Sequence, residues 1–91
     1  MRSRYSAYVL KNAHYLLNTW HSDTRPVAIE FAVDKWLGLE VKSHSIQDAE
    51  HASVEFIARY KVGGRAHRLH EISQFVRENG QWLYVDGNFP N

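Results

Sequence analysis

Two glycine-containing turns constrain the fold of this chain more than any other feature of its sequence. Gly63-Gly64 and Asn79-Gly80 each separate two stretches in which apolar and polar residues alternate. Dipeptides of this kind form two-residue β-hairpin loops, and such a loop fixes which residues face each other across the two strands. The second half of the chain is therefore predicted to be an antiparallel meander with a defined register.

Both hairpin registers assign the same residues to one face of the predicted sheet. The later turn pairs Ser73 with Asp86, and the earlier turn pairs Phe56 with Glu71. Because residues two apart in a strand share a face, the pairings agree with each other. The predicted inner face carries Val54, Phe56, Ala58, Tyr60, Leu69, Phe75, Trp82 and Tyr84.

The first part of the chain has helical rather than strand periodicity. Apolar residues recur at spacings of three and four, which predicts a helix over about residues 2–20. A break near Lys11-Asn12 is an alternative that would give two shorter helices. A helix-start signal that includes Pro26 predicts a further helix over about residues 26–35.

We therefore expect residues 1–91 to form a single domain of the α+β class. Helices that precede an antiparallel meander are expected to pack together on one face of its sheet. Four strands are predicted, at about residues 36–46, 52–62, 65–78 and 81–87.

Composition excludes several kinds of function. The formal charge of +1 argues against nucleic-acid binding, which needs a clear basic excess. No cysteine is present, so disulfides, thiolate catalysis and cysteine-bound zinc are excluded. The six histidines follow no metal-ligand spacing, and we expect neither a metal nor a cofactor. No apolar run is long enough for a membrane span, so we expect no membrane partner and a cytoplasmic location.

Three polar residues, Glu71, Ser73 and Asp86, fall among the aromatic residues of the predicted inner face. Two neighbouring carboxylates raise each other's pKa, which suits general acid–base chemistry, and Glu71 and Asp86 are the catalytic candidates. The alternative is structural, with Asp86 bonded to backbone amides and Glu71 paired with Arg2 or Arg4. A β-bulge just before Glu71 would turn that side chain to the other face.

Several sequence segments resemble the central domain of the YchJ family of bacterial proteins. They are MRSRYSAYV, YLLNTWH, WLGLEV, VEFIARY and HEISQFVRENGQWLYVDG, and the last is the most specific. The resemblance extends over nearly all of the chain, from Met1 to Gly87. It implies a nuclear transport factor 2-like fold, in which N-terminal helices and a strongly curved four-stranded antiparallel sheet form a cone with a pocket.

The resemblance and the predicted inner face together give a set of candidate pocket residues. They are Arg4, Tyr5, Trp20, Phe56, Tyr60, Glu71, Ser73, Trp82, Tyr84 and Asp86. The family has no agreed activity, so these residues match a pattern and carry no assigned roles. Family members usually have SEC-C zinc-binding modules on both sides of this domain. Such modules are absent here, and the chain is expected to be either a trimmed piece or a free-standing variant.

The sequence leaves three functions open. The first is a small-molecule-binding or accessory domain without turnover, which we rank highest. The second is an enzyme of the isomerase, cyclase or hydratase type, with Asp86 or Glu71 as base and Tyr84 or Tyr60 as hydrogen-bond donor. The third is a homodimerisation or protein-interaction module that uses an apolar stripe on the outer face of the sheet, formed by Ile72, Val76, Leu83 and Val85.

Overall fold

The computed structural model describes residues 2–90 and confirms an α+β fold. Two short helices precede four strands that form one antiparallel sheet in the order β1-β2-β3-β4. Neither helix has the length or the apolar character that crossing a membrane requires within this part of the chain. The elements are α1 (Arg2–Val9), α2 (Ala13–Asn18), β1 (Lys35–Asp48), β2 (His51–Val62), β3 (Arg65–Glu78) and β4 (Gln81–Asn88).

The helical region is broken at Lys11-Asn12, as the alternative interpretation of the sequence predicts. Lys11 has a φ of 55°, a left-handed conformation that no helix continues through. The side chain of Asn12 then accepts a hydrogen bond of 3.1 Å from the backbone N–H of Tyr15, which caps the start of α2. The helices are therefore separate elements.

The helix predicted over residues 26–35 is wrong, because no helix lies between Asn18 and Lys35. Val27, which a helix would have turned inward, is fully exposed. The end of the segment is bound to the sheet instead. Asp34 donates its backbone N–H to the carbonyl of Lys61 at 2.9 Å, and these sheet contacts outweigh the start signal for a short isolated helix.

The turn at Gly63-Gly64 sets the register that its sequence predicts. Phe56 faces Glu71 and Val54 faces Ser73 across β2 and β3. Both glycines have positive φ, at 57° and 79°, as the turn requires. The inner face is therefore confirmed for these two strands.

The turn at Asn79-Gly80 also forms, but the register that it sets is lost further along β4. Phe75 faces Tyr84 as predicted, and a β-bulge follows. Because Val85 is an extra residue, Asp86 faces Gln74 on the outer side of the sheet.

The predicted pairing of Ser73 with Asp86 is therefore wrong. Ser73 faces Gly87, and the carboxylate of Asp86 is on the exposed outer side. A two-residue turn determines which face each strand residue points to only as far as the first bulge. The local sequence contains no feature that predicts this bulge.

The core lies between the helices and the inner face of the sheet. The end of α2 is attached to β4, since Tyr84 donates its N–H to the carbonyl of Thr19 at 2.8 Å. Trp82 lies at the rim of the core with 38% of its surface exposed. The buried apolar residues of this core are Ala7, Leu16, Ala52, Val54, Phe56, Ala58 and Phe75, whereas Ile57 is buried on the opposite face of the sheet.

We expect Phe75→Ala to lower the free energy of unfolding by about 3–5 kcal/mol, because it removes a buried ring from the core. Chemical denaturation would measure the loss. The matched control is Phe89→Ala, since Phe89 is exposed and its truncation should change stability by less than about 0.5 kcal/mol. Equal effects of the two variants would contradict the assignment of the inner face.

Candidate functional site

A cavity of about 720 Å³ lies between α1, the segment before β1 and the inner face of the sheet. β2 forms one wall through alternate residues, namely Phe56, Ala58, Tyr60 and Val62. Successive side chains on one face of a strand are about 6.5–7 Å apart, so this wall is roughly 20 Å long. α1 forms the facing wall with Arg4, Tyr5, Tyr8 and Val9.

Glu71 is a buried carboxylate in the cavity lining, with 8% of its surface exposed. Two hydroxyl groups donate hydrogen bonds to its Oε2 atom, Ser73 at 2.5 Å and Tyr84 at 3.2 Å. Ser73 is itself fully buried, at 0%. Within residues 2–90, Oε1 accepts no hydrogen bond, yet no side-chain oxygen there is both fully buried and unpartnered. The second carboxylate oxygen is therefore open to the cavity.

Gly87 provides the space in which the Glu71 carboxylate lies. A Cβ atom at this position would lie 2.6 Å from the carboxyl carbon of Glu71, closer than such atoms approach. The bulge in β4 places this glycine, and not Asp86, opposite Ser73. The same irregularity that removes one carboxylate from the inner face thus makes room for the other.

Arg4 is the second buried charged residue in the lining, at 4% exposure. Its Nη1 donates to the Thr19 hydroxyl at 2.7 Å and to the carbonyl of Leu16 at 3.3 Å, near the C-terminus of α2. The guanidinium also lies over two rings, Tyr84 at 4.7 Å and Trp20 at 5.2 Å. Burial lowers the pKa of Arg4.

The predicted ion pair of Glu71 with Arg2 or Arg4 does not form within residues 2–90. Neutral groups surround both buried charges instead. Arg4 is hydrogen-bonded to carbonyl and hydroxyl oxygens, and Glu71 to hydroxyl groups.

Four rings, which we call the aromatic wall, line the cavity beyond Glu71: Tyr5, Tyr8, Trp36 and Tyr60. Trp36 is central, with ring centroids 5.5 Å from Tyr5, 6.0 Å from Tyr8 and 5.5 Å from Tyr60. The rings meet edge-on or tilted, which is a favourable arrangement for aromatic pairs.

Burial and the charge of Glu71 affect two phenols of the site. Burial, the Glu71 charge and the hydrogen bond to Glu71 raise the pKa of Tyr84 far above its usual value. Burial is the main cause that raises the pKa of Tyr8, and the charge of Glu71 contributes. Both phenols are therefore protonated hydrogen-bond donors at neutral pH.

The structure brings most of the predicted pocket residues together. Trp20 meets Tyr84 edge-on with ring centroids 4.8 Å apart, and the Ser73 hydroxyl donates to Glu71. Trp82 lines a separate cavity of about 220 Å³. Asp86 faces the other side of the sheet and does not belong to the site. Those that line the large cavity are Arg4, Tyr5, Phe56, Tyr60, Glu71 and Tyr84.

Sequence analysis missed two members of the aromatic wall, Tyr8 and Trp36. Tyr8 lies three residues after Tyr5 on the predicted helical stripe, so that spacing could have identified it. Trp36 had no such signal, because it faces Tyr60 through the pairing of β1 with β2, whose register contains irregularities that the sequence does not predict.

Within residues 2–90, no three metal-ligating side chains of the His, Asp, Glu or Cys types lie close together. His67 and His70 face opposite sides of β3, as their spacing predicts. His67 stacks on Tyr60 with centroids 5.3 Å apart, and His70 lies 2.6 Å from a carboxylate oxygen of Glu55 on the outer face.

Comparison with known proteins supports the resemblance seen in the sequence motifs. A family profile described as the YchJ middle NTF2-like domain matches residues 1–87. The chain is 63% identical over 89 residues to a UPF0225 protein of Polaromonas naphthalenivorans, covering 97% of this chain and 65% of that protein. It is 61% identical over 97 residues to a UPF0225 protein of Cupriavidus metallidurans, covering 97% of this chain and 67% of that protein.

Two solved structures are similar over the whole chain. The solution structure of a SEC-C motif containing protein from Rhodopseudomonas palustris has a TM-score of 0.86 at 33% identity, and this chain covers 76% of it. The crystal structure of a SEC-C motif containing protein from Psychrobacter arcticus has a TM-score of 0.77 at 28% identity, with 59% of that chain covered. The matched relatives are longer than the chain described here.

We expect Gly87→Ala to lower the free energy of unfolding by about 1–3 kcal/mol, because the added methyl group displaces the Glu71 carboxylate. Gly38→Ala is the matched control, since a Cβ there meets no atom within 4 Å and should change stability by less than about 1 kcal/mol. Thermal or chemical unfolding measures both. A neutral Gly87→Ala variant would contradict the described packing of Glu71.

The raised pKa of Tyr84 predicts a loss of stability at high pH. The unfolded chain releases the phenolic proton near the usual pKa of 10.0, whereas the folded chain retains it. The contribution of Tyr84 is thus complete below that pH and declines as the pH rises above it. We expect the free energy of unfolding to fall less steeply above pH 10 in Tyr84→Phe than in the wild type. If the free energies of unfolding of the two proteins fall in parallel above pH 10, the raised pKa of Tyr84 is contradicted.

Proposed function

Since the chain belongs to the family of the YchJ middle NTF2-like domain, we propose that it binds a small organic molecule in the large cavity, without turnover. The family profile and the UPF0225 relatives carry no named activity, so the proposal depends on the site. The single observation that carries it is an aromatic cavity with a buried, partly unpartnered carboxylate inside.

The size and lining of the cavity support ligand binding. Sites for small molecules usually have volumes of about 300–1,000 Å³, are mostly apolar, and contain a few convergent polar groups. The cavity of about 720 Å³ has these properties. Glu71 supplies an acceptor, and Tyr8 and Tyr84 supply phenolic hydroxyl groups.

The cone shape implied by the family is part of this proposal, as is a cytoplasmic location. Helix α1 and the irregular segment before β1 would close the wide end of the cone, and the cavity would be its interior. Because the chain covers 65% of the Polaromonas relative, the activity and partners of a whole protein of this family are also matters of proposal. Homodimerisation through the outer stripe remains a prediction and is compatible with a ligand in the cavity.

An enzyme is the second candidate, and one contact favours it. The Tyr84 hydroxyl lies 3.2 Å from Oε2 of Glu71, so a base and a hydrogen-bond donor share one end of the cavity. Acid–base catalysis by Glu71 and Asp86 together, however, does not agree with the structure, because Asp86 lies on the opposite face of the sheet. Turnover would therefore depend on Glu71 alone, and we rank it below binding.

A neutral fluorescent dye, N-phenyl-1-naphthylamine, tests whether the cavity accepts an apolar ligand. We expect the wild type to increase the dye's fluorescence and Ala58→Leu to reduce that increase several-fold, because Ala58 is a buried lining residue whose enlargement fills the cavity. Ala66→Leu is the matched control, since Ala66 is exposed outside the cavity. No increase with the wild type, or equal increases with the two variants, would overturn the proposal.

A further inference from the structure

We propose that the ligand of this cavity is an organic cation, a protonated amine carried on an apolar or aromatic body. This inference rests on the proposed function and adds the chemical class of the ligand. Three features of the site support it: the lack of a positive partner for Glu71, the partners that Arg4 has within the protein, and the position of the aromatic wall.

Glu71 is a buried negative charge without a counter-ion. No Lys, Arg or His nitrogen lies within 4.0 Å of it among the described residues. Its hydroxyl partners, Ser73 and Tyr84, both donate to Oε2. Removing a carboxylate from water is costly unless it is paired or fully hydrogen-bonded, and Oε1 lacks both. A ligand N–H donor at Oε1 would complete the site, and a charged donor forms the stronger bond.

Arg4 does not play the equivalent role for an anion. Its guanidinium donates to the carbonyls of Leu16 and Thr19 and to the Thr19 hydroxyl, close to the negative end of α2. It is also stacked on Trp20 and Tyr84. All three hydrogen bonds start from Nη1, and the ring faces of Trp20 and Tyr84 add to the compensation of the Arg4 charge. Glu71 has two hydroxyl donors, both on Oε2, so it is the less compensated of the two charges, and this difference favours a positive ligand.

The aromatic wall extends from the neighbourhood of Glu71 along the cavity. Ring faces carry negative electrostatic potential and attract ammonium groups within about 6 Å of their centroids. Glu71 faces the ring-bearing residue Phe56 across β2 and β3, and Tyr60 lies four residues further along the same wall of the cavity. An ammonium group at Oε1 would therefore lie near aromatic rings, and the rest of the ligand would contact Trp36 and Tyr60.

Charges elsewhere in the lining do not decide the class of ligand. Lys11 and Lys35 are balanced by Glu30 and Asp34 in the segment around the cavity. Selection would therefore come from Glu71 and the aromatic rings.

Three probes of nearly equal size test the proposal: phenethylamine, 2-phenylethanol and 3-phenylpropanoate. They carry the same ring with a cationic, a neutral and an anionic end. Titrations of the full chain at pH 7, followed by amide chemical shifts in NMR spectra, give the three affinities. We expect phenethylamine to bind about tenfold more tightly than 2-phenylethanol, because a charge-assisted bond replaces a neutral one. The propanoate should bind most weakly.

Two variants identify the source of the preference. Glu71→Gln retains the size of the side chain and removes its charge, so the amine and the alcohol should bind about equally well. Trp36→Leu should weaken amine binding about threefold or more. Trp82→Leu is the matched control and should leave it unchanged, because Trp82 lies outside the cavity. If Glu71→Gln fails to fold, the comparison of Trp36→Leu with Trp82→Leu still tests the proposal.

The outcomes separate this inference from the proposed function. If the wild type binds the amine and the alcohol equally well and Ala58→Leu binds neither, the inference of a cationic ligand is wrong. The proposal that the cavity binds a small molecule would then still stand. Tighter binding of the propanoate than of the amine would also contradict a cationic ligand while supporting a binding cavity. If none of the probes binds and the naphthylamine dye is also not bound, both proposals fail.

Discussion

The buried carboxylate of Glu71 is the constraint around which β3 and β4 are organised. A charge on the inner face of a sheet must be hydrogen-bonded, and here the hydroxyl groups of Ser73 and Tyr84 serve that purpose. It must also have room, which Gly87 provides by lacking a side chain. The bulge in β4 brings that glycine into position. Four features that look unrelated in the sequence thus serve one carboxylate.

The second buried charge, Arg4, shows how the helices are joined to this arrangement. Its guanidinium holds α1 against the end of α2, and it stacks on Tyr84, the residue whose hydroxyl group contacts Glu71. The two opposite charges share a ring without forming an ion pair. Each is surrounded mainly by neutral groups, but Arg4 also lies over the rings of Trp20 and Tyr84, whereas Glu71 has only the two hydroxyl donors on Oε2. This unequal compensation gives the site its preference for a cation in our proposal.

Much of the sheet could be predicted from sequence, because tight turns are local. The Gly63-Gly64 turn correctly predicts that Phe56 faces Glu71. The Asn79-Gly80 turn correctly predicts that Phe75 faces Tyr84. The predicted site was therefore right about Glu71 and Tyr84 and wrong about Asp86. The failed helix over residues 26–35 had a similar cause, since a local start signal was outweighed by hydrogen bonds to a distant hairpin.

The sequence by itself determined the class of fold, the two hairpins and the identity of the inner face near each turn, because periodicity and positive φ act over a few residues. Only the tertiary structure decided where the bulge lies, which carboxylate remains inside, and how Trp36 joins the rings of α1. These outcomes depend on contacts between residues far apart in the chain. A bulge redirects the side chains that follow it, and the buried carboxylate for which this one makes room is enclosed only once the strands and helices have met.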